Sequence, residues 1–224
     1  MTEENIRNIK PIPCKVILVG DSGVGKTSII NRYLNQFNER TTATISTSYY
    51  NKIEIINNYK LNFQIWDTVG QEQYRSLNSL FFKDAYICLM VYDITKELTF
   101  KSIKDYWYEA VINNGLEGVI FGIAGNKNDL YNEEKVDKNE VRELSKEINA
   151  TFKFTSALQN VCIDELFKEL GQRFINSNFM KEFGTDYFAD DNFKIDNTEN
   201  KRNKNKIKDS ADSNNLKLFR INKY

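Results

Sequence analysis

The sequence has 224 residues, of which 41% are hydrophobic and 28% are charged, and this size and composition predict one well-packed domain with a tail. Its 31 basic and 31 acidic side chains balance, which argues against general nucleic-acid binding, so no nucleic-acid partner is expected. No histidine is present, which excludes Ser-His and Cys-His hydrolases, histidine-ligated zinc enzymes and histidine pH switches.

Cysteines and apolar runs bear on the cellular compartment. Cys14, Cys88 and Cys162 lie in apolar surroundings without the paired spacing of a metal or disulfide site, and we expect buried, reduced thiols. The longest apolar run, at 86–92, is far too short to cross a bilayer, and residues 1–10 lack the apolar core of a signal peptide. These features predict a cytoplasmic protein.

Apolar runs of strand length alternate with segments of helical period along most of the chain. Strands are predicted at 15–19, 51–57, 61–67, 86–92, 118–124 and 152–155. Helices are predicted at 27–34, 100–112 and 162–175. Asn57-Asn58 joins two alternating strands and predicts a tight antiparallel hairpin. The predicted fold class is therefore α/β, a doubly wound sheet of six strands, mixed but mostly parallel and flanked by helices.

The chain divides by composition into three predicted parts: an extension at 1–12, a folded domain at 13–176 and a tail at 177–224. The tail is rich in Asn, Asp and Lys, and its charge changes from acidic at 182–191 to basic at 201–208. The charge asymmetry suits an interaction segment, whereas the composition favours a solvated, disordered spacer.

The segment at 20–27, named here the phosphate loop, reads Gly-Asp-Ser-Gly-Val-Gly-Lys-Thr between a predicted strand and a predicted helix. Its glycines let backbone N–H groups wrap closely around phosphates. Lys26 is predicted to reach the β- and γ-phosphates, and Thr27 to offer its hydroxyl to Mg²⁺. A purely structural glycine turn, the alternative, has no need of the Lys-Thr pair. The predicted phosphate-binding residues are Asp21, Ser22, Gly23, Val24, Gly25, Lys26, Thr27 and Ser28.

Asn-Lys-Asn-Asp at 126–129 follows a buried strand, which places it beside the phosphate loop at the carboxyl edge of the sheet. Asp129 can accept from two adjacent N–H groups of guanine, a donor pair that adenine lacks. Thr-Ser-Ala at 155–157 would complete this pocket, with the Ala157 N–H directed at the guanine oxygen. The predicted base-binding residues are Asn126, Lys127, Asp129, Leu130, Ser156, Ala157 and Leu158.

Asp67-Thr68-Val69-Gly70-Gln71 also follows a predicted strand. Asp67 can hold Mg²⁺ through water, and Gly70 can bring its N–H to the γ-phosphate. Gln71 has the length and the amide needed to orient an attacking water.

In order and spacing, these motifs resemble the fingerprint of small GTPases of the Ras superfamily over residues 13–175. Four segments resemble the Rab branch, which acts in vesicle traffic: Gln-Ile-Trp at 64–66, Tyr-Arg-Ser-Leu at 74–77, Phe-Phe-Lys-Asp-Ala at 81–85 and Met-Val-Tyr-Asp-Ile-Thr at 90–95. The resemblance implies a P-loop NTPase fold, the small GTPase G domain, at 13–176. It also implies GTP or GDP as ligand and Mg²⁺ as cofactor.

The resemblance further assigns roles to individual residues. Thr44 would contact Mg²⁺ and the γ-phosphate, and Phe37 would stack on the guanine. The implied metal ligands are Thr27, Thr44 and Asp67, and the implied catalytic residues are Gln71, Lys26, Thr44 and Gly70.

The implied partners are an exchange factor, an activating protein and effectors. They would contact the two loops that contain Thr44 and Gly70, called the switch loops, and the aromatic side chains of Tyr49, Trp66 and Phe81. For these three aromatics the alternative is ordinary strand packing. Ser46 and Tyr49 stand where Rabs usually carry Gly and Phe, which leaves effector identity open.

The resemblance predicts a molecular switch that hydrolyses GTP. The γ-phosphate would hold Thr44 and Gly70, and hydrolysis would release them. The alternatives are a guanine-nucleotide-binding scaffold that does not cycle and a P-loop kinase or ATPase. No cysteine follows Cys162 and residue 2 is Thr, so neither prenylation nor myristoylation is expected. Membrane contact is therefore expected to be weak or protein-mediated, at the periphery of endomembranes.

Overall fold

A computed structural model describes residues 10–38, 44, 46–70, 80–183 and 187. Within these residues the strands are β1 (Ile12–Val19), β2 (Ser48–Ile56), β3 (Tyr59–Asp67), β4 (Ile87–Asp93), β5 (Ile120–Asn126) and β6 (Thr151–Phe154). The α-helices are α1 (Lys26–Tyr33), α2 (Glu97–Ser102), α3 (Tyr108–Asn114), α4 (Lys138–Glu147) and α5 (Ile163–Ile175). A π-helical turn (Ile103–Trp107) joins α2 to α3, and 3₁₀ turns occupy Asn128–Glu133 and Asn178–Glu182.

The six strands form one sheet in the order β2–β3–β1–β4–β5–β6. All neighbouring pairs are parallel except β2 and β3, which are antiparallel. Asn57 and Asn58 join those two strands with φ of 47° and 68°, the left-handed pair that a tight hairpin turn requires. The predicted mixed, mostly parallel sheet with one antiparallel edge is confirmed.

The hydrophobic core is divided between the two faces of this sheet. Along β1, Val16 and Leu18 belong to one cluster, which includes residues of α1 and α5, whereas Ile17 and Val19 belong to the other, which includes residues of the π-helical turn and α4. Because successive strand residues point to opposite faces, helices must cover both of them. Because β1, β3, β4, β5 and β6 pair in parallel, their carboxyl ends lie at one edge of the sheet.

The structure corrects three local expectations. Pro13, predicted to precede the first strand, lies within β1, where the ladder to β4 begins only at Val16, so a missing N–H is tolerated. The helix predicted at 100–112 is interrupted by the π-helical turn. Cys162 is partly exposed rather than buried, because it lies at the start of α5 with φ of 56°. Cys14 and Cys88 are buried as predicted.

Aromatic side chains beyond residue 176 pack against the sheet. Tyr86 lies 5.0 Å from Phe179 and 6.3 Å from Phe183 between ring centroids, and Phe183 lies 5.5 Å from Tyr187. Burial of these rings contributes to the core, which the polar composition around them did not indicate. The limits of the predicted tail stay a prediction, and residues 1–9 and 188–224 lie outside the described residues. Of the helices that are described, none is long and apolar enough to cross a membrane.

Candidate nucleotide-binding site

The phosphate loop lies between β1 and α1, and two of its glycines are required by its geometry. Gly20 and Gly25 have φ of 141° and 99°. A Cβ atom on Gly20 would overlap the Val91 carbonyl oxygen, and one on Gly25 would overlap the Asn126 side-chain nitrogen. The loop therefore lies directly against the ends of β4 and β5, and the start of α1 adds its positive dipole end.

The Lys26 side chain folds back over the phosphate loop. Its Nζ donates to the carbonyl oxygens of Gly20 at 2.8 Å and Asp21 at 3.0 Å, and the residue is only 6% exposed. Burial lowers the pKa of Lys26 to about 8, although the nearby carboxylates of Asp67 and Asp21 oppose this shift. A phosphate in this position would favour the charged form of Lys26.

Three oxygen-bearing side chains converge beside Lys26. Thr27 Oγ1 donates to Asp67 Oδ2 at 2.5 Å and lies 2.6 Å from Thr44 Oγ1. The other carboxylate oxygen of the buried Asp67, Oδ1, has no hydrogen-bond partner among the described residues. Burial raises the pKa of Asp67, against the opposing effects of Thr27 and Lys26. Two hydroxyls beside a carboxylate oxygen without a partner form the donor set that Mg²⁺ prefers, so the predicted metal ligands fit this ion.

A cavity of about 400 Å³ joins the phosphate loop to the predicted base-binding residues. Its size lies within the range of small-molecule sites, about 300 to 1,000 Å³. It is lined by Ser22, Gly23, Gly25, Lys26, Thr27, Ser28, Phe37, Thr44, Gly70, Asn126, Lys127, Asp129, Ala157 and Leu158. Six separate stretches of the sequence that were predicted to bind one nucleotide thus line one cavity.

Other predicted site residues lie outside this lining. Asp21 accepts a hydrogen bond from Trp107 Nε1 at 3.0 Å, and Val24 is buried with its carbonyl oxygen accepting from Asn126. Ser156 is buried and donates a hydrogen bond to Asp129, and Leu130 is exposed in the 3₁₀ turn. Gln71 lies outside the described residues, so its role stays a prediction.

Asn126 connects the two ends of the cavity. It is 2% exposed, and its Nδ2 donates to the Val24 carbonyl oxygen at 2.9 Å, within the phosphate loop. Its Oδ1 accepts from Thr155 Oγ1 and from the Ala157 N–H, both at 3.3 Å. The Ala157 N–H, assigned from the sequence to the guanine oxygen, therefore makes a long bond to Asn126 in this structure.

Two further contacts orient the predicted base-binding side chains. Ser156 Oγ donates to Asp129 Oδ1 at 2.5 Å. Lys127 has φ of 68°, and its Nζ lies 2.6 Å from Asp93 Oδ2 at the end of β4. Burial alone would raise the pKa of Asp93, which is 1% exposed, but hydrogen bonds from Lys127 and Thr95 outweigh burial and lower it. Asp93 was not selected from the sequence, although an acidic residue at the end of an apolar strand was a usable signal.

The three aromatics assigned to effector contact form a continuous row on β2, β3 and the segment after them. Tyr49 and Trp66 have ring centroids 5.0 Å apart, and Trp66 and Phe81 have centroids 5.6 Å apart. Tyr49 is 45% exposed, so this row is partly open to solvent.

Comparisons with known proteins give the chain a family. The sequence model of the Ras family matches residues 15–176. The human Ras-related protein Rab-22A is 38% identical over 160 residues, covering 71% of this chain and 82% of that protein. The Ras-related protein Rab-21 of Bos taurus is 37% identical over 164 residues, covering 73% of each chain. The Ras-related protein RabJ of Dictyostelium discoideum is 35% identical over 173 residues, covering 75% of this chain and 67% of RabJ. The chain therefore belongs to the Ras family of small GTPases.

Proposed function

We propose that this chain is a Rab-like molecular switch that binds GTP, hydrolyses it to GDP and phosphate, and regulates vesicle traffic. The observation that carries the proposal is that Lys26, Thr27 and Asp129 line one and the same cavity. A phosphate-binding loop alone selects only a nucleoside triphosphate. A carboxylate at the opposite end of the same cavity adds selection of guanine, because guanine offers two adjacent N–H donors.

In the proposed reaction, a water molecule attacks the γ-phosphorus on the side opposite the β–γ bridging oxygen. The bond between the γ-phosphorus and that oxygen breaks, and GDP leaves. Lys26 would bind the β- and γ-phosphate oxygens, and the Gly70 N–H would bind the γ-phosphate. Gln71 would orient the water. Mg²⁺, held by Thr27, Thr44 and Asp67, would neutralise part of the phosphate charge.

The switch follows from which residues contact the γ-phosphate. Thr44 and Gly70 both line the cavity, and each would lose one contact when that phosphate leaves. A partner whose binding depends on the positions of Thr44 and Gly70 would therefore distinguish the GTP-bound protein from the GDP-bound protein. We propose that effectors contact the row of Tyr49, Trp66 and Phe81, and that an exchange factor and an activating protein act on the same side.

The role in vesicle traffic rests on the likeness to Rab proteins. We propose action at the periphery of endomembranes.

The test is single-turnover hydrolysis of GTP by the purified protein with Mg²⁺, native beside Gln71→Leu. We expect slow intrinsic hydrolysis, on the order of 10⁻⁴ to 10⁻² per second, and a loss of at least about tenfold in the variant. GTP binding should be the same in both proteins, because Gln71 is assigned to the water and not to the nucleotide. A variant as fast as the native protein would contradict the catalytic assignment. Tight GTP binding without hydrolysis in either protein would indicate a scaffold that does not cycle.

A further inference from the structure

Arg32, on α1, contacts two parts of the nucleotide site that are distant in the sequence. Its Nε donates to the Ala157 carbonyl oxygen at 2.7 Å, and its Nη2 donates to the Leu158 carbonyl oxygen at 2.8 Å. Its guanidinium carbon also lies 3.7 Å from the centroid of the Phe37 ring. Ala157, Leu158 and Phe37 all line the cavity, whereas Arg32 stands behind them.

The chemistry of arginine suits this position. The guanidinium is planar, stays charged, and presents donors in a fixed fork that can bond two acceptors while its face lies on an aromatic ring. Hydrogen bonds from a charged donor to backbone carbonyls are about twice as strong as neutral ones. Arg32 therefore fixes the backbone of residues 157 and 158 and the plane of the Phe37 ring with one rigid group.

Phe37 and residues 157–158 each have other stabilising contacts. Among the contacts described, however, none of these others joins Phe37 to residues 157–158. The loop that contains residues 157 and 158 is closed by paired backbone hydrogen bonds between Ser156 and Val161, at 3.2 and 3.0 Å. Phe37 is half-buried against the core cluster that contains α1. Arg32 is the residue that couples these segments, at the end of the cavity away from Thr27 and Asp67.

We propose that Arg32 is a positioning residue for the bound nucleotide. Arg32 holds Phe37 and the backbone of residues 157 and 158 in fixed positions relative to each other, and so slows nucleotide release. This inference rests on the proposed function, because it concerns the base end of the same cavity. Arg32 does not line the cavity itself, and the contacts described for it are to Ala157, Leu158 and Phe37, at the base end.

The chain offers a matched control in Arg173, on α5. Arg173 also bonds backbone carbonyls, donating to Phe121 O at 3.3 Å and Asn149 O at 2.5 Å, and it bonds Thr151 Oγ1 at 3.2 Å. None of these three partners lines the cavity. Removing either arginine takes a comparable fork of hydrogen bonds from the fold, but of the two only Arg32 has described contacts to residues that line the cavity.

The experiment measures release of a fluorescent GDP analogue from the full chain with Mg²⁺, chased by excess GDP. We expect Arg32→Met to raise the release rate by about tenfold or more. Arg32→Lys should give an intermediate rate, because a lysine keeps the cation near Phe37 but loses the fork. Arg173→Met should stay within about twofold of the native rate. Single-turnover hydrolysis at saturating GTP should be unchanged in Arg173→Met, within about twofold.

Release at the native rate from Arg32→Met, or equal acceleration by Arg32→Met and Arg173→Met, would overturn the inference, since the second result indicates only a general loss of stability. If Arg32→Met does not fold, Arg32→Lys decides by the same criterion. If the native protein itself does not bind GDP, the proposed function fails and this inference fails with it. Native binding with unchanged release in the variants overturns this inference alone.

Discussion

Thr27 Oγ1, at the start of α1, lies 2.5 Å from Asp67 Oδ2, at the end of β3. The two residues are 40 positions apart in the sequence and meet because β1 and β3 are parallel neighbours, with Leu18 opposite Asp67. The phosphate loop therefore begins beside Asp67. The Thr27 hydroxyl and the Asp67 carboxylate belong to separate motifs, and their proximity forms one candidate Mg²⁺ site.

The first prediction concerns that pair. Asp67→Asn keeps the size of the side chain but removes the charge, so Mg²⁺ should bind at least about tenfold more weakly in the presence of GDP. The measurement is the rate of GDP release as a function of free Mg²⁺. Native protein should retain GDP at low Mg²⁺ concentrations, whereas the variant should need a higher Mg²⁺ concentration to retain it. Equal release rates in excess chelator serve as the control, and identical Mg²⁺ curves would contradict the assignment of Asp67.

The second prediction concerns the choice of base. In Asp129→Asn an amide replaces the carboxylate that accepts from both guanine donors, so affinity for GDP should fall by about 10² to 10⁴. Xanthine presents an acceptor where guanine has its amino donor, so affinity for xanthine nucleotides should rise. Competition binding of GDP against xanthosine diphosphate measures both effects. Ser156→Ala, which removes only the donor to Asp129 Oδ1, should weaken GDP binding by about tenfold without changing the preferred base.

The third prediction concerns the close approach of Gly70 to the phosphate loop. A Cβ atom at Gly70 would lie 2.6 Å from the Asp21 carbonyl oxygen and would overlap Lys26 Nζ. Gly70→Ala must therefore displace the backbone that is proposed to contact the γ-phosphate. GTP hydrolysis in single turnover should fall by at least about tenfold.

Gly171→Ala is the matched control for that substitution. Its Cβ would lie 2.6 Å from Ile56 Cδ1 and 2.8 Å from Phe63 Cζ, so the crowding is similar but lies in the core below α5. This variant should lose about 1 to 3 kcal/mol of stability and keep its hydrolysis rate. Equal losses of activity in the two variants would show that crowding near Gly70 acts through stability alone.

The fourth prediction is a pH dependence from Asp93. Its pKa is lowered in the folded protein, so the unfolded chain, with a pKa of about 3.9, takes up the proton first as the pH falls. The stability from the Asp93–Lys127 pair is therefore complete above about pH 5 and is lost as the pH falls through the folded pKa, below about 4. Asp93→Asn should cost about 2 kcal/mol at pH 7.

Urea unfolding of native protein and Asp93→Asn at pH 7, 5, 4 and 3 measures this dependence. The difference in free energy of unfolding should shrink between pH 5 and 3, because the native protein loses the ion pair there. A difference that stays constant over this range would contradict the role of Asp93. Asp105→Asn, on an exposed position of the π-helical turn, is the reference for removing a surface carboxylate.

Local patterns were enough to predict the sheet and the motifs at its edge. Alternation of apolar residues in β2 and β3, the Asn57-Asn58 turn and the continuous apolar runs of β4 and β5 depend on residues next to one another in the chain. Local patterns did not predict features that depend on tertiary packing. The π-helical turn at Ile103–Trp107 and the strand position of Pro13 depend on what packs beside them.

The sequence alone determined that three motifs each follow a strand: the phosphate loop, the segment from Asp67 to Gly70, and the Asn-Lys-Asn-Asp segment at 126–129. Parallel pairing of the strands then brings these motifs to one edge of the sheet. Only the tertiary structure decided which side chains hold those segments. Trp107 meets Asp21 across 86 positions, Lys127 meets Asp93 across 34, and Arg32 meets Ala157 across 125. Such contacts depend on the packing of whole helices against the sheet, and no repeat or spacing in the sequence records the distance between two side chains on different elements.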